Sequence, residues 1–431
     1  MKKLTLLFFT SILTVSSYAQ DSLFLDQAIE MAIVNNYNVQ VVKLSRDASV
    51  INNTAGAAGM TPNVNLNVGD QYTSNNLLQR FANGQEITSP NASGNSFTTN
   101  LTASWVIFDG LKMFATKDRL EQQEKNGELT FTKQISATIN EVTQAFSLLQ
   151  QLQLKRDYIT TLIAFNELRV DLSNTRWQAG TGAKTDFLQA SIDLNASRAQ
   201  FLSTNNEIEA ASTNLKNIIG IKGSDELLVS QVIIAQENDV TQLKEKIKSE
   251  NLDLAIANTQ LEISRLQVKE AKASFLPTVT LNGAYNFSRA DNSAGFSLFN
   301  RTYGPAAGVT LSLPLYQSGQ ISRNNQLAQI NFRQTELILD QMILETNAKA
   351  ELLFTQVNNL MELNKLYQMN RDYSYELLDL ALERYKQGQS SNLEVQQAQV
   401  AFNEANNAFL ENNYQLQIAI SEMKFMAGEV N

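Results

Sequence analysis

The chain repeats one pattern about 210 residues downstream. The segment from Asn36 to Pro62 returns, with the same 26-residue separation, as the segment from Asn251 to Pro277. The turn sequence RWQAG ending at Gly180 returns as RYKQG ending at Gly388, an offset of 208. At that same offset identical residues recur, among them Gln189, Ala190, Asn195, Phe201, Leu202, Asn205 and Gly220. A duplication this long predicts that one supersecondary unit is used twice, around a shared axis.

The first residues have the features of a secretory signal. Lys2 and Lys3 precede a mostly apolar stretch from Leu4 to Val15, and small residues lead to Ala19. The apolar stretch is too short to span a bilayer as a helix. We expect residues 1–19 to be removed, which leaves a mature chain with 32 basic and 43 acidic residues.

Composition excludes several classes of function. The chain has no Cys and no His, so disulfides, lipid-modified cysteine, thiolate chemistry and histidine-based catalysis or metal binding are absent. Its acidic balance argues against a nucleic-acid partner. The GTGAKT sequence at 180–185 resembles a phosphate loop, but Gln178 and Ala183 stand where that loop requires glycine. We therefore expect no enzyme, no cofactor and no metal site.

Each repeat begins with a helix and then changes to a period of two. The first helix is predicted from Leu25 to about Ala58, before Pro62. Alternating residues then predict strands at 62–72 and 97–108, and at 277–287 and 303–316 in the second repeat. Such strands match the roughly 9–11 residues that cross a bilayer at a tilt. On this view Trp105, Tyr285 and Phe287 lie in interfacial girdles; an ordinary sheet with one hydrated face is the alternative. The first hairpin is 7 residues longer (46 against 39), and we expect that excess in its outer loop.

Long helices follow the strands in both repeats. They are predicted at 111–178 and 319–386, with return helices at 185–219 and 393–426. A helix of 67 residues would be ~100 Å long, which does not suit a compact domain. Two short helices placed end to end match one long helix, which suggests a cylinder of uniform height. Apolar residues spaced by threes and fours predict a coiled-coil seam, namely Phe131, Ile135, Ile139, Val142, Phe146, Leu149 and Leu152, and in the second repeat Ile343, Ala350, Leu353, Val357 and Leu360.

These elements give a mixed α and β fold, mainly α, organised as two repeats. Repeat 1 covers 20–220 and repeat 2 covers 246–428, with a linker at 221–245 near mid-height and a tail at 429–431. Four strands per chain cannot close a membrane barrel, because every lipid-facing edge must be paired. Chains must therefore associate; a dimer gives 8 strands and a trimer 12, and both numbers are allowed.

Several segments resemble the TolC family of outer-membrane channel proteins. They are LDQAI at 25–29 with Asn35-Asn36, WVIFDG at 105–110, FLPTV at 275–279, LSLPLY at 311–316 with Gly319, and the two Arg-aromatic-x-x-Gly turns. The resemblance covers almost the whole mature chain in order, although Val106 stands where the second repeat has Pro314. It implies a homotrimer in the outer-membrane lipid, with a 12-stranded barrel continued by a periplasmic α-helical barrel. It also implies a tripartite efflux or type I secretion role, with a periplasmic adaptor and an inner-membrane pump or ABC transporter as partners.

The turns after the long helices are the first candidate site. Gly180 and Gly388 suit left-handed helix caps. The resemblance adds that Gly180, Thr181, Gly182, Gly388, Gln389 and Ser390 form the periplasmic rim where an adaptor docks.

Asp186 and Glu394 open the return helices and are the second candidate site. They suit the positive end of a helix, and Ser391-x-x-Glu394 has the spacing of a capping box. The functional alternative is a ring of six carboxylates in a trimer, which would make the narrowest point prefer cations. The resemblance implies an acid–Tyr–Arg link that holds the entrance shut. Asp186 and Tyr385 match it, whereas Ser390 replaces the Arg and Gln397 replaces a second acid, so the closed state is expected to be held differently.

A cell-surface trimeric coiled-coil adhesin with a β-barrel anchor is the alternative function. An adhesin is expected to keep long heptads without a second strand hairpin, so the duplication favours the channel.

Overall fold

A computed structural model describes residues 22–222, 227–229 and 237–429. The predicted signal at 1–19, much of the predicted linker and the last two residues of the tail lie outside these ranges. The described elements are α1 (Leu25–Asn35), α2 (Tyr37–Asn52), β1 (Asn63–Arg80), β2 (Glu86–Phe108), α3 (Lys112–Gln178), α4 (Lys184–Ile219), α5 (Glu237–Glu250), α6 (Leu252–Ala273), β3 (Thr278–Asn292), β4 (Phe299–Ser312), α7 (Gln320–Lys386) and α8 (Asn392–Met426).

The chain forms two compact units, and each unit takes segments from both sequence repeats. Unit 1 contains residues 22–40, 134–249 and 349–429 of the described chain, and unit 2 contains 41–133 and 250–348. Part of the predicted linker is helical, because α5 begins at Glu237.

Unit 2 contains one antiparallel sheet in the order β1-β2-β3-β4. β2 and β3 pair directly, so the sheet joins the two repeats. Within the described part of one chain, the outer edges of β1 and β4 have no strand partner.

The strands differ from prediction in length. The turns at 81–85 and 293–298 are short, so the extra residues of the first hairpin lie in β1 and β2, which have 18 and 23 residues, and the expected long outer loop was wrong. Backbone pairing extends the ladder past the point where apolar alternation ends, with one irregularity between Asn75 and Leu77. β4 ends at Ser312 instead of 316, because Pro314 has no N–H to donate to a ladder.

The sheet has one apolar face and one polar face. In a representative row, Leu66 pairs with Leu101, which pairs with Tyr285, which pairs with Pro305. The next row on the opposite face contains Asn67, Asn100 and Asn286. Large apolar side chains on the apolar face are solvent-exposed in the single chain: Val64, Leu66, Val68, Leu101, Trp105, Leu281, Tyr285, Val309 and Leu311.

The helix predicted from Leu25 to Ala58 is two helices. Asn36 lies between α1 and α2 in an extended conformation, and its side-chain oxygen accepts the backbone N–H of Asn38 at 2.8 Å. Asn251 interrupts the equivalent helix of the second repeat, where its side-chain oxygen accepts the N–H of Leu254 at 3.0 Å. Each asparagine is therefore the N-cap of the following helix, a strong local preference that outweighs the continuous apolar pattern.

Unit 1 contains two equivalent hydrophobic cores, one from each repeat. The first packs α1, α3 and α4 together, and the second packs α5, α7 and α8. The core residues of α4, namely Ile208, Ala211, Leu215, Ile218 and Ile219, correspond at the offset of 208 to Leu416, Ala419, Met423, Met426 and Ala427 of α8.

The predicted seam is only partly buried in a single chain. Val142, Phe146 and Leu149 are fully buried, as is Val357 in α7. Ile343, however, is 38% exposed in the single chain, so its predicted place in the seam stays a prediction for the assembly. None of the helices in the described residues is both long and apolar enough to cross a membrane.

Candidate functional site at the hairpin tips

The candidate site is built from the two hairpin tips of unit 1, the turns that join α3 to α4 and α7 to α8. The N–H of Gly180 donates to the Trp177 carbonyl at 3.0 Å, and the N–H of Thr181 donates to the Arg176 carbonyl at 2.9 Å. This pair of hydrogen bonds is a Schellman cap. The second tip repeats it with Gly388 and Gln389. The two glycines have φ of 73° and 77°, a region that disfavours other residues.

The tip residues proposed for docking are mostly accessible. Gly180, Thr181, Gly388 and Gln389 are exposed, whereas Gly182 and Ser390 are half-buried. The Ser390 hydroxyl donates to the Ala381 carbonyl at 3.3 Å, so it ties the turn to the end of α7.

An arginine from the first tip holds the second. The guanidinium of Arg176 lies over the Tyr385 ring, 4.2 Å from its centre, and also donates to the Tyr385 carbonyl. Tyr385 is only 2% exposed. The positive charge next to Tyr385 thus comes from the other repeat, while position 390 is a serine. In the described residues of one chain, no hydrogen bond joins Asp186 to Tyr385, so that link stays a prediction for the assembly.

The two acids differ in their surroundings. Glu394 forms an ion pair with Arg384 at 2.6 Å, and its backbone N–H donates to the Ser391 hydroxyl at 3.2 Å. The predicted capping box is therefore only half formed, because the Glu394 carboxylate bonds Arg384. Asp186 is half-buried, and among the described residues its carboxylate has no ion pair or hydrogen bond. The N-cap of its helix is Ala183, which has no capping side chain.

Gln397 is exposed on the second turn of α8.

Across the described residues, no group of three or more acidic side chains is arranged to hold a metal ion.

Behind the tips lies a buried arginine that the sequence analysis missed. Arg169 of α3 is 0% exposed. Its guanidinium donates to the side-chain oxygens of Asp193 of α4 and of Asn392 and Gln399 of α8, at 3.2, 3.0 and 2.6 Å. It also donates to Asn166 at 3.2 Å, while Nε has no partner among the described residues. Arg169 therefore connects one hairpin to the other.

Burial lowers the pKa of the Arg169 guanidinium below its ordinary value, and the neighbouring Asp193 carboxylate opposes that shift. Arginine stays protonated in proteins, so the group is a fixed positive charge.

The seam spacing was the signal that could have identified Arg169. One heptad separates Leu152 from Ile159, and steps of three and four residues then lead through Leu162 to Asn166, Arg169 and Ser173. All five are buried. A polar residue at a seam position predicts a buried hydrogen-bond network, since such groups are rarely left unpaired.

The fold and sequence can now be compared with known proteins. The profile of one family, described as outer membrane efflux protein, matches residues 28–221 and 243–429. Two curated relatives illustrate the range. The chain is 21% identical over 432 residues to the protease secretion protein PrtF of Dickeya chrysanthemi, covering 98% of this chain and 92% of that relative. It is 26% identical over 323 residues to the outer membrane protein TolC of Escherichia coli, covering 71% of this chain and 62% of TolC.

Solved structures share the fold. The CmeC outer membrane channel of Campylobacter jejuni superposes with a TM-score of 0.80 at 16% identity, over 94% of this chain and 85% of CmeC. The outer membrane protein VceC of Vibrio cholerae superposes with a TM-score of 0.74 at 16% identity, over 94% of this chain and 96% of VceC. The resemblance stated from the sequence segments is thereby confirmed.

Proposed function

The chain belongs to the outer membrane efflux protein family, and we propose that three copies form one closed channel that carries cargo from an inner-membrane pump to the cell exterior. The chain is an outer-membrane protein of the efflux and type I secretion class. Trimer formation, the docking site for an adaptor and the periplasmic entrance are parts of this proposal.

The observation that carries the proposal is the sheet of unit 2. Its apolar face exposes large side chains such as Leu66, Tyr285 and Leu311, while its other face is polar. In a barrel, the apolar face would contact lipid and the polar face would contact water. The unpaired edges of β1 and β4 cost several kcal/mol for each unsatisfied group in lipid, so β4 of one copy is expected to pair with β1 of the next. Three copies give the 12 strands that the family resemblance implies.

The hairpin tips are the proposed periplasmic end. Their exposed turns at Gly180-Thr181 and Gly388-Gln389 are the surface offered to a periplasmic adaptor. An inner-membrane pump or ABC transporter is the proposed source of energy, and no catalysis is assigned to this chain. Relatives include a protease secretion protein and a pyoverdine export protein, so both protein and small-molecule cargo are within the class.

The adhesin alternative is not supported. The family profile matches both repeats, and the second hairpin, β3–β4, is present and completes the sheet.

Planar bilayer recording tests the proposal. Purified full-length protein, added to one side of a bilayer, is expected to give stepwise ion currents of uniform size that prefer cations, because the proposed trimer would bring Asp186 and Glu394 of three copies to the entrance. Protein unfolded by boiling is the control and should give none. Folded protein, judged by circular dichroism, that inserts without any conductance would contradict the channel.

A further inference from the structure

The strands of the sheet carry six charged residues, namely Asp70, Arg80, Glu86, Arg289, Asp291 and Arg301, and all except Asp70 lie in the half of their strand next to the hairpin turn. Four of them form pairs, Arg80 with Glu86 at 3.1 Å and Arg289 with Asp291 at 2.8 Å. The side-chain amide of Asn95 is oriented so that its nitrogen donates a hydrogen bond to the Asp70 carboxylate at 3.0 Å. Arg301 has no carboxylate partner among the described residues.

Arg289 and Arg301 are directly opposite each other on β3 and β4. Opposite residues on one face have Cβ atoms about 5 Å apart, and like charges in that arrangement repel. The two guanidinium groups are directed apart along the strands: that of Arg289 lies over the Phe299 ring, on the turn side, at 5.6 Å, and that of Arg301 lies over the Tyr303 ring, on the helix side, at 5.9 Å. Asp291 neutralises one of the two positive charges, so the arginine pair retains one net positive charge, which attracts an anion.

The arginine pair lies at the border of the apolar face. Residues that pair across neighbouring strands lie on the same face of the sheet. Both arginines are therefore on the face that contains Leu66 and Tyr285. The neighbouring row toward the helices contains Phe287 and Tyr303, roughly 7 Å away. Aromatic residues next to basic residues at the end of an apolar belt are typical of the level of lipid headgroups.

We propose that Arg289 and Arg301 form a clamp for the phosphate group of an anionic lipid in the outer leaflet. Both arginines are exposed long side chains at opposite positions, so rotation away from Phe299 and Tyr303 would bring their guanidinium groups to one phosphate between them. That phosphate would offset their repulsion and accept charge-assisted hydrogen bonds from both, which planar guanidinium groups form well. The acyl chains would lie along Tyr303 and Tyr285, on the exposed apolar face. The clamp rests on the outer-membrane placement of the sheet and not on the adaptor or the pump.

A neighbouring copy does not supply the missing anion. Barrel strands are tilted by roughly 35–45° and spaced about 4.8 Å apart. A row of paired residues that crosses four strands is therefore displaced from the equivalent row of the next copy by roughly 13–19 Å along the strand direction. Asp70 lies in the same row as Arg301 within one chain. In a closed barrel, Asp70 of the next copy is therefore displaced from Arg301 by several residues and cannot pair with it.

Native mass spectrometry of the full-length protein in non-ionic detergent tests the clamp. Short-chain phosphatidic acid is the probe, with phosphatidylcholine of equal chain length and inorganic phosphate as comparison ligands. Wild type is expected to bind phosphatidic acid more tightly than either, and R289Q/R301Q is expected to bind it at least about tenfold more weakly. Arg80→Gln is the matched control, because Arg80 is on the same sheet but already paired with Glu86.

Equal affinity of wild type and R289Q/R301Q for phosphatidic acid would overturn the clamp, and so would equal binding of phosphatidylcholine. Tight binding of inorganic phosphate alone would assign the site to free phosphate, against the lipid proposal. The D70N variant tests whether Arg301 pairs instead with Asp70 of a neighbouring copy. In that case D70N and R301Q would cause an equal loss of assembly. The same spectra report the oligomer mass, so failure of the trimer is seen separately.

Discussion

Replacing Arg169 with alanine is expected to loosen both hairpin tips at once. The guanidinium is fully buried and bonds side chains from α4 and α8 in addition to its own helix. Its removal leaves the Asp193 carboxylate, whose side chain is 17% exposed, without its cation. Breaking a buried pair by removing one partner costs about 3–5 kcal/mol, because the remaining charge is uncompensated. Hydrogen exchange of α4 residues near Asp193 and α8 residues near Asn392 should show the loss.

A second arginine between the same helices provides the control. Arg198 of α4 pairs with Glu167 of α3 at 2.8 Å, but these side chains are 55% and 51% exposed. Exposed pairs contribute about 0–1 kcal/mol, so Arg198→Ala should leave exchange nearly unchanged. If Arg169→Ala and Arg198→Ala have equally small effects, the buried network does not hold the tips together.

Neutralising Asp186 is expected to reduce the cation preference of the channel more than neutralising Glu394. Asp186 has no partner among the described residues, whereas the charge of Glu394 is partly balanced by Arg384. A unit charge about 4 Å from a permeating ion in bulk water is worth about 1 kcal/mol, so D186N should lower cation preference roughly fivefold. Asn keeps nearly the same volume, so the conductance step should change little.

Bilayer recordings at low salt are the right measurement, because salt screens exposed charges. E394Q is the comparison, and D186N/E394Q should have the weakest cation preference. A purely structural role at the positive end of the helix predicts a different result, a loss of roughly 0.3–1 kcal/mol of local stability with unchanged selectivity. Unchanged selectivity in the double variant would place the constriction elsewhere.

The long helices could be predicted closely because their signals are local. Regular seam spacing defines them, and Gly180 and Gly388 end them with the caps that glycine favours. The break at Asn36 was missed because the apolar pattern continues through it, while its cause is one side-chain hydrogen bond. The outer halves of β1 and β2 were missed because backbone pairing leaves no trace in hydropathy once the strand leaves the apolar belt.

The candidate site was less predictable than the fold. The sequence identified Tyr385 and the acids by position, but the contact of Arg176 with Tyr385 joins residues 209 positions apart. The Arg169 network likewise depends on how α3, α4 and α8 pack, which no local pattern records. The seam spacing could have marked Arg169 as buried, but it does not identify the partners of the guanidinium.

Light scattering of the protein extracted from outer membranes in mild detergent tests the central claim most directly. The claim is that four strands with two open edges cannot close a barrel alone, and that three chains close it together. The predicted result is a protein mass three times that of the mature chain, corrected for bound detergent and stable on dilution. A stable folded monomer, with the edges of β1 and β4 unpaired, would contradict the account.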